Sequence, residues 1–247
     1  MTGPTDSDLY RRGAATLLAS WQAYARGARG AVVIRSAGVA AAVFPAGPER
    51  VFLNNALLER HLAAAQRAHA LAVMEAAYAS AGIARFAAWV HENDQAMRAD
   101  LQARGYAVAE TTRAMGVVLR DLRVPRLAID LAAPTWSEYL RIVGVPPGFG
   151  GRADRSLFHV RIAALDGSGA AAAMAFDCGD DCGIYNVATA EHARRRGLGT
   201  ALTALLAHDA MARGCHTASL QSTAMAEGIY TALGFRDLGQ ILEYTPP

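Results

Sequence analysis

A short motif returns once along this chain, and that recurrence limits the folds open to it. Leu101-Gln102-Ala103-Arg104-Gly105-Tyr106 stands about 130 residues before Tyr230-Thr231-Ala232-Leu233-Gly234-Phe235. Gly82 and Gly214, each closing an alanine- and leucine-rich helical stretch, keep nearly the same offset. Helix, glycine and aromatic residue in that order describe a helix C-cap leading into a strand. The repeat predicts an α/β chain of two tandem copies, residues 1–122 and 123–247, each a mixed sheet flanked by helices.

Local pattern fills in those copies. In the first, a helix over Leu9–Arg26 is capped by Asp6 or Ser7. Strands Ala31–Arg35 and Val39–Phe44 meet at the turn Ala37–Gly38, and Val51–Asn55 reads as another strand. A helix over Leu57–Ser80, a strand over Arg85–His91, a helix over Asp94–Arg104 and a strand over Val117–Leu119 follow. Asp121–Pro134, with two prolines, reads as a linker. In the second copy, helix Ser137–Val143 runs into the loop Gly144–Gly151, tipped by Phe149 and expected to wall a binding site. Strands Leu157–Leu165 and Ala170–Phe176 flank the turn Asp166–Gly167. Then come strand Gly183–Thr189, a helix from Leu198 to Gly214, strand Thr217–Gln221, short helix Met225–Leu233 and strand Phe235–Tyr244.

Composition excludes several kinds of chemistry. All 24 basic residues are arginine, so no lysine exists for a Schiff base, for pyridoxal phosphate or for a Walker-type phosphate loop. A net charge of +2 with scattered arginines gives no support to nucleic-acid binding. No apolar run reaches the ~18 residues that a membrane-spanning helix needs. The polar, acidic start from Met1 to Asp8 is unlike a secretory signal. An odd number of cysteines, three, argues for a reducing compartment, so the expected location is cytoplasmic. Cys178 and Cys182 have no matching second pair, so no metal site is expected.

The segment that carries chemistry is Val187-Ala188-Thr189-Ala190-Glu191-His192-Ala193-Arg194-Arg195-Arg196-Gly197-Leu198-Gly199-Thr200. A strand passes through an arginine-rich turn with two glycines into an amphipathic helix. Glycines let a backbone approach an anion closely. The free N–H groups and dipole of the helix's first turn favour negative charge. Arg194, Arg195 and Arg196 add permanent charge, and Thr200 a hydroxyl donor. Such a turn is suited to a pyrophosphate.

Strand, Arg-x-x-Gly-x-Gly turn, long helix, strand, short helix and Tyr230-x-x-Leu-Gly-Phe235 together resemble the GCN5-related N-acetyltransferase (GNAT) family. The resemblance covers about Ser156 to Tyr244. It implies acetyl-CoA as co-substrate and a small-molecule amine as acetyl acceptor. On the matching positions, Arg194, Arg195, Arg196, Gly197, Leu198 and Gly199 would form the pyrophosphate loop, extended by Thr200. Val187, Ala188 and Thr189 would offer backbone groups to the pantetheine arm. Tyr230 would protonate the departing thiolate. Thr223, with Ser222, stands near the position where the family often has an asparagine, and Glu191 replaces a common proline.

The first copy has no glycine between Gly47 and Gly82, and its Arg60 and Arg67 fall in a stretch that reads as helix. It is expected to be a degenerate copy without a cofactor loop. Glu138, Asp177, Asn186 and His192 are the candidates to help remove the amine proton. A competing reading is a non-catalytic CoA-binding sensor or pseudo-enzyme scaffold.

Overall fold

The computed structural model describes residues 3–46, 53–124, 129–146 and 153–247. In chain order these form helix α1 (Asp6–Arg26) and strands β1 (Val32–Ser36), β2 (Val39–Val43) and β3 (Asn55–Leu58). Helix α2 (Ala64–Ser80), strand β4 (Ala87–His91), helix α3 (Gln95–Ala103) and the long strand β5 (Ala107–Val118) follow. Next come β6 (Asp130–Ala132), α4 (Trp136–Val143), β7 (Phe158–Leu165), β8 (Ser168–Cys178) and β9 (Asp181–Thr189). The chain closes with α5 (Leu198–Ala212), β10 (Thr217–Ser222), α6 (Glu227–Ala232) and β11 (Arg236–Thr245).

These elements gather into two compact units, one of residues 1–19 and 114–238, the other of 20–113 and 239–247. A single boundary after residue 122, as the repeat suggested, is therefore not how the chain divides. The reason lies in β11, whose Ile241–Tyr244 run antiparallel to His91–Ala88 of β4. The last strand thus completes the sheet begun by the first half.

In the unit of residues 1–19 and 114–238 the strand order is β5-β10-β9-β8-β7-β6. β6 through β9 are antiparallel neighbours, and β9 and β10 are parallel. β8 carries Ala170–Ala173, Met174 and Ala175, all buried, the continuous apolar run of a strand covered on both faces. Its odd-numbered alanines share a cluster with Leu198, Leu202, Leu206 and Ala210 of α5. On the opposite face Tyr139 of α4 reaches Met174, and Trp136, Phe158 and Phe176 pack in sequence with their rings tilted. Small side chains on β8 let both helices approach the sheet closely. Since α5 buries residues around much of its circumference, it is a core helix rather than a surface one.

In the other unit the order is β1-β2-β3-β4-β11, with β3 and β4 parallel and the other pairs antiparallel. Tyr78 of α2 stacks on Phe86 at 4.0 Å, and Leu71, Met74, Leu101 and Tyr244 fill the same core. Trp21 meets Trp89 edge-on at 5.7 Å on the other sheet face.

Several boundaries differ from those the sequence suggested. Leu57 and Leu58 are strand, and α2 begins only at Ala64, so Arg60 lies in a loop while Arg67 is helical. Alanine-rich flanks on both sides hid that change of period. β5 is twelve residues long, where only its buried end, Val117–Leu119, reads as strand from pattern, because its first five residues are exposed. β6 lies inside the expected linker. Thr5, rather than Asp6 or Ser7, caps α1: its Oγ1 accepts the Asp8 N–H at 3.2 Å and the Asp8 carboxylate accepts the Thr5 N–H at 3.1 Å, a reciprocal capping pair. Val51, Phe52 and the loop tip Phe149 lie outside the described residues.

Candidate functional site

The site is built where β9 leaves β10. Only Asp181, Cys182 and Gly183 of β9 pair with β10, opposite Thr217, Ala218 and Ser219. A buried clamp fixes that start. Asp181 accepts hydroxyl bonds from Thr16 at 2.7 Å, Thr217 at 2.7 Å and Ser219 at 2.8 Å. Burying a carboxylate is costly without such donors. From Ile184 onward β9 keeps its pairing with β8 alone. Beyond Gly183 its other edge has no strand neighbour, the template that an added extended chain would pair with. Val187, Ala188 and Thr189 lie on this splayed stretch.

Beyond Thr189 the chain makes a single 3-10 turn, Glu191–Ala193, and enters the arginine turn. Arg194, Arg195 and Arg196 are all exposed. The Nε of Arg194 donates to the Thr189 carbonyl at 3.5 Å, tying the turn to the strand end. Arg195 has φ 63° and Gly197 φ 76°. Left-handed residues in such a turn aim successive N–H groups toward one concave side, an arrangement suited to anions. Gly197 is the N-cap of α5 and offers no side chain to close the helix. The first closed bond runs from the Ala201 N–H to the Gly197 carbonyl at 2.9 Å, which leaves the N–H groups of Leu198, Gly199 and Thr200 without partners in the helix. A Cβ added at Gly199 would stand 3.5 Å from Val187 Cγ1 and 3.7 Å from Thr189 Oγ1. The first turn of α5 and the splayed strand therefore face each other across this glycine.

Tyr230 is buried, meets Phe235 edge-on at 6.0 Å, and shares a cluster with Leu198 and Leu202 against which Val187 packs. Burial pushes its hydroxyl up to about 12. Thr223 is exposed just past β10, and its carbonyl accepts the Ala226 N–H at 2.9 Å and the Ser222 hydroxyl at 2.8 Å.

Three of the four candidates for proton removal are engaged elsewhere. Glu138 is chelated by Arg141 at 2.6 and 2.8 Å, which lowers its carboxyl below the usual range. Asp177 is held by Arg213 at 2.6 and 2.9 Å; burial works to raise it, but Arg213 prevails and the net direction is down. The Asn186 amide donates to the Tyr139 hydroxyl at 2.8 Å. His192 is exposed in the 3-10 turn. Sequence reasoning passed over Tyr139 entirely, and its only signal was an aromatic residue on a short helix. The cysteines are free thiols, and among the described residues no group of His, Cys, Asp or Glu could hold a metal ion. A cavity of about 510 Å³ opens beside α4, lined by Trp136, Leu140, Arg141, Val145 and Arg155 among others. No helix among the described residues is long and apolar enough to cross a membrane.

Comparison with known proteins supports an acyltransferase. Residues 126–235 match the acetyltransferase (GNAT) family. Solved structures resemble the chain over nearly its whole length. One is a GCN5-related N-acetyltransferase from Kribbella flavida, 20% identical, with 97% of this chain and 95% of that one covered and a TM-score of 0.74. Another, from Sphaerobacter thermophilus, is 14% identical over 98% and 93%, with a TM-score of 0.59. A tandem GNAT protein from the clavulanic acid biosynthesis pathway is 14% identical over 98% and 96%, with a TM-score of 0.58. At these identities the likeness shows the fold. No curated protein matches the chain significantly.

Proposed function

We propose that the protein is an acetyl-CoA-dependent N-acetyltransferase that moves an acetyl group directly to a primary amine of a small molecule. The observation that carries this reading is the splayed β9 edge set against an open helix N-terminus with three exposed arginines. Both parts fit the co-substrate. Leu198, Gly199 and Thr200 with Arg194, Arg195 and Arg196 would hold the pyrophosphate, and the free edge at Val187–Thr189 would pair with the amide-bearing pantetheine arm. Thr223 would lie at the margin of that arm. When bound, acetyl-CoA supplies an activated acyl group.

The chain's part is to orient, to stabilise charge and to supply a proton. Backbone N–H groups on the splayed strand would steady the oxyanion as the amine nitrogen bonds to the acyl carbon and the C–S bond breaks. Tyr230 holds its proton across the working pH range, so it can face the departing sulfur as a donor. Complete transfer from a phenol at about 12 to a thiolate of ordinary basicity, about 8.5, is uphill by about 5 kcal/mol. Tyr230 therefore acts mainly by hydrogen bonding to the sulfur, with solvent supplying the proton that remains on the thiol and taking the one that the amine nitrogen loses.

We read the unit of residues 20–113 and 239–247 as a degenerate copy that does not hold acetyl-CoA. The test of the whole reading is thiol release from acetyl-CoA with a panel of small amines, alongside thermal unfolding with and without acetyl-CoA. Saturation at about 100 times the dissociation constant should stabilise by about 2.7 kcal/mol. Stabilisation without thiol release would favour the sensor reading, and neither effect would remove acetyl-CoA from the account.

A further inference from the structure

The bend that splays β9 is held from outside the strand. Tyr185 pairs with Met174 and Ala188 with Ala172, so Asn186 and Val187 together oppose the single residue Ala173. Two residues against one is a β-bulge. Asn186 occupies it with φ 53°, a left-handed backbone that costs a non-glycine residue energy. A side-chain latch from α4 reaches this residue. The Asn186 side-chain amide donates to the Tyr139 hydroxyl at 2.8 Å, and that hydroxyl in turn donates to the Met174 sulfur at 3.7 Å. Tyr139 is 1% exposed, so the bond is made away from bulk water, where it is strengthened. Burial raises the Tyr139 hydroxyl well above its ordinary value, so it stays protonated and keeps both bonds.

We infer that Tyr139 is a positioning residue for acyl transfer: through Asn186 it holds the left-handed bulge that turns the backbone of Val187 and Ala188 toward the cofactor groove. This inference rests on the proposed acetyltransferase reading for its functional consequence, though the latch itself does not.

The test compares Tyr139→Phe, Asn186→Gly and the double variant. Phenylalanine keeps the ring and removes only the hydroxyl, while glycine adopts φ 53° without help. In the ligand-free protein, backbone chemical shifts at Asn186–Ala188 should leave their wild-type values in Tyr139→Phe. Affinity for acetyl-CoA and kcat with the best amine should both fall about tenfold, with the amine KM nearly unchanged. Asn186→Gly should stay near wild type, and the double variant should recover to within about twofold. Unchanged shifts in Tyr139→Phe would overturn the latch. Failure of the double variant to recover would assign Tyr139 a packing role, and a loss in Asn186→Gly equal to that in Tyr139→Phe would give the asparagine side chain a direct role. If the wild type does not bind acetyl-CoA, the functional reading fails, while the ligand-free shifts still decide the latch.

Discussion

Replacing Gly199 by aspartate should move stability and cofactor affinity in opposite directions. Gly199 is the second residue of α5, and a Cβ there meets Val187 Cγ1 and Thr189 Oγ1 at 3.5 and 3.7 Å, ordinary contact distances. The Cβ therefore enters without strain. Relative to alanine, glycine costs a helix about 1 kcal/mol and aspartate up to about 0.7, so the exchange gains about 0.3 kcal/mol, and a negative charge in the first turn adds about 0.3–1 kcal/mol. Together these should raise the melting temperature by about 2–4 °C. The same carboxylate would stand in front of the open N–H groups. At about 5 Å from a phosphate charge and an effective dielectric constant of about 20, repulsion is about 3 kcal/mol. Affinity for acetyl-CoA should then fall at least about 100-fold. Calorimetric titration and thermal unfolding of Gly199→Asp and Gly199→Asn separate charge from volume, because the amide fills the same space. Equal affinities for the two variants would refute the electrostatic reasoning. Wild-type affinity in Gly199→Asp would remove this loop as the anion site. The equivalent change at Gly197, with φ 76°, would confuse the result, since any side chain there adds backbone strain.

Three further outcomes concern Tyr230, Asp181 and Glu243. Tyr230→Phe should lower thiol release at least tenfold and leave acetyl-CoA affinity nearly unchanged, and in the wild type the Tyr230 hydroxyl, pushed up to about 12, should cause no loss of rate between pH 7 and about 10. Asp181→Ala strands the hydroxyls of Thr16, Thr217 and Ser219 and should destabilise by about 3 kcal/mol in chemical unfolding; a change under about 0.5 kcal/mol would show that the clamp is dispensable. Glu243 is buried, and burial together with nearby Glu110 raises its carboxyl to about 7 from 4.5. Its folded-state value lies above the unfolded one, so the stability it contributes is present below about pH 4.5 and is lost as pH rises through 7, by about 3 kcal/mol in all. Glu243→Gln should abolish that slope, and an unchanged stability–pH curve would rule Glu243 out as its source.

Much of the second half could be read from residues alone, because its signals are local. Asp166–Gly167 specifies a hairpin turn, and Gly214 and Gly234 stop helices at positions where the observed φ values are 100° and 97°. The Arg194–Thr200 turn announces itself through glycines and charge. What stayed hidden depends on contacts distant in sequence. The exposed first five residues of β5 have no alternation to reveal them. Only the pairing of Ile241–Tyr244 with β4 shows that the last strand serves the first half's sheet. The bulge at Asn186 is invisible too, since an asparagine between a tyrosine and a valine looks like ordinary strand, and its partner Tyr139 lies 47 positions away.

On the proposed reading, a local difference between the two units would let one of them alone bind the cofactor. Each contains a strand–helix–strand connection between parallel neighbours, β3–α2–β4 in one and β9–α5–β10 in the other. Their helix entries differ in the residues just before the first turn. Before α2 the chain runs from Glu59 to Ala63 without a glycine. The Ala63 N–H is taken by the Gln66 side chain at 2.9 Å, and the His61 N–H by the Asp94 carboxylate at 3.3 Å. Arg67 turns to the Leu62 carbonyl at 3.0 Å and to Asp100 at 2.6 Å. The N–H groups just ahead of α2 and the Arg67 guanidinium are engaged within the chain, and the Asp94 carboxylate sits beside that entry. Before α5 Gly197 brings no side chain, and three exposed arginines flank the entry. An anion arriving at α2 approaches the Asp94 carboxylate, whereas one arriving at α5 approaches three exposed arginines.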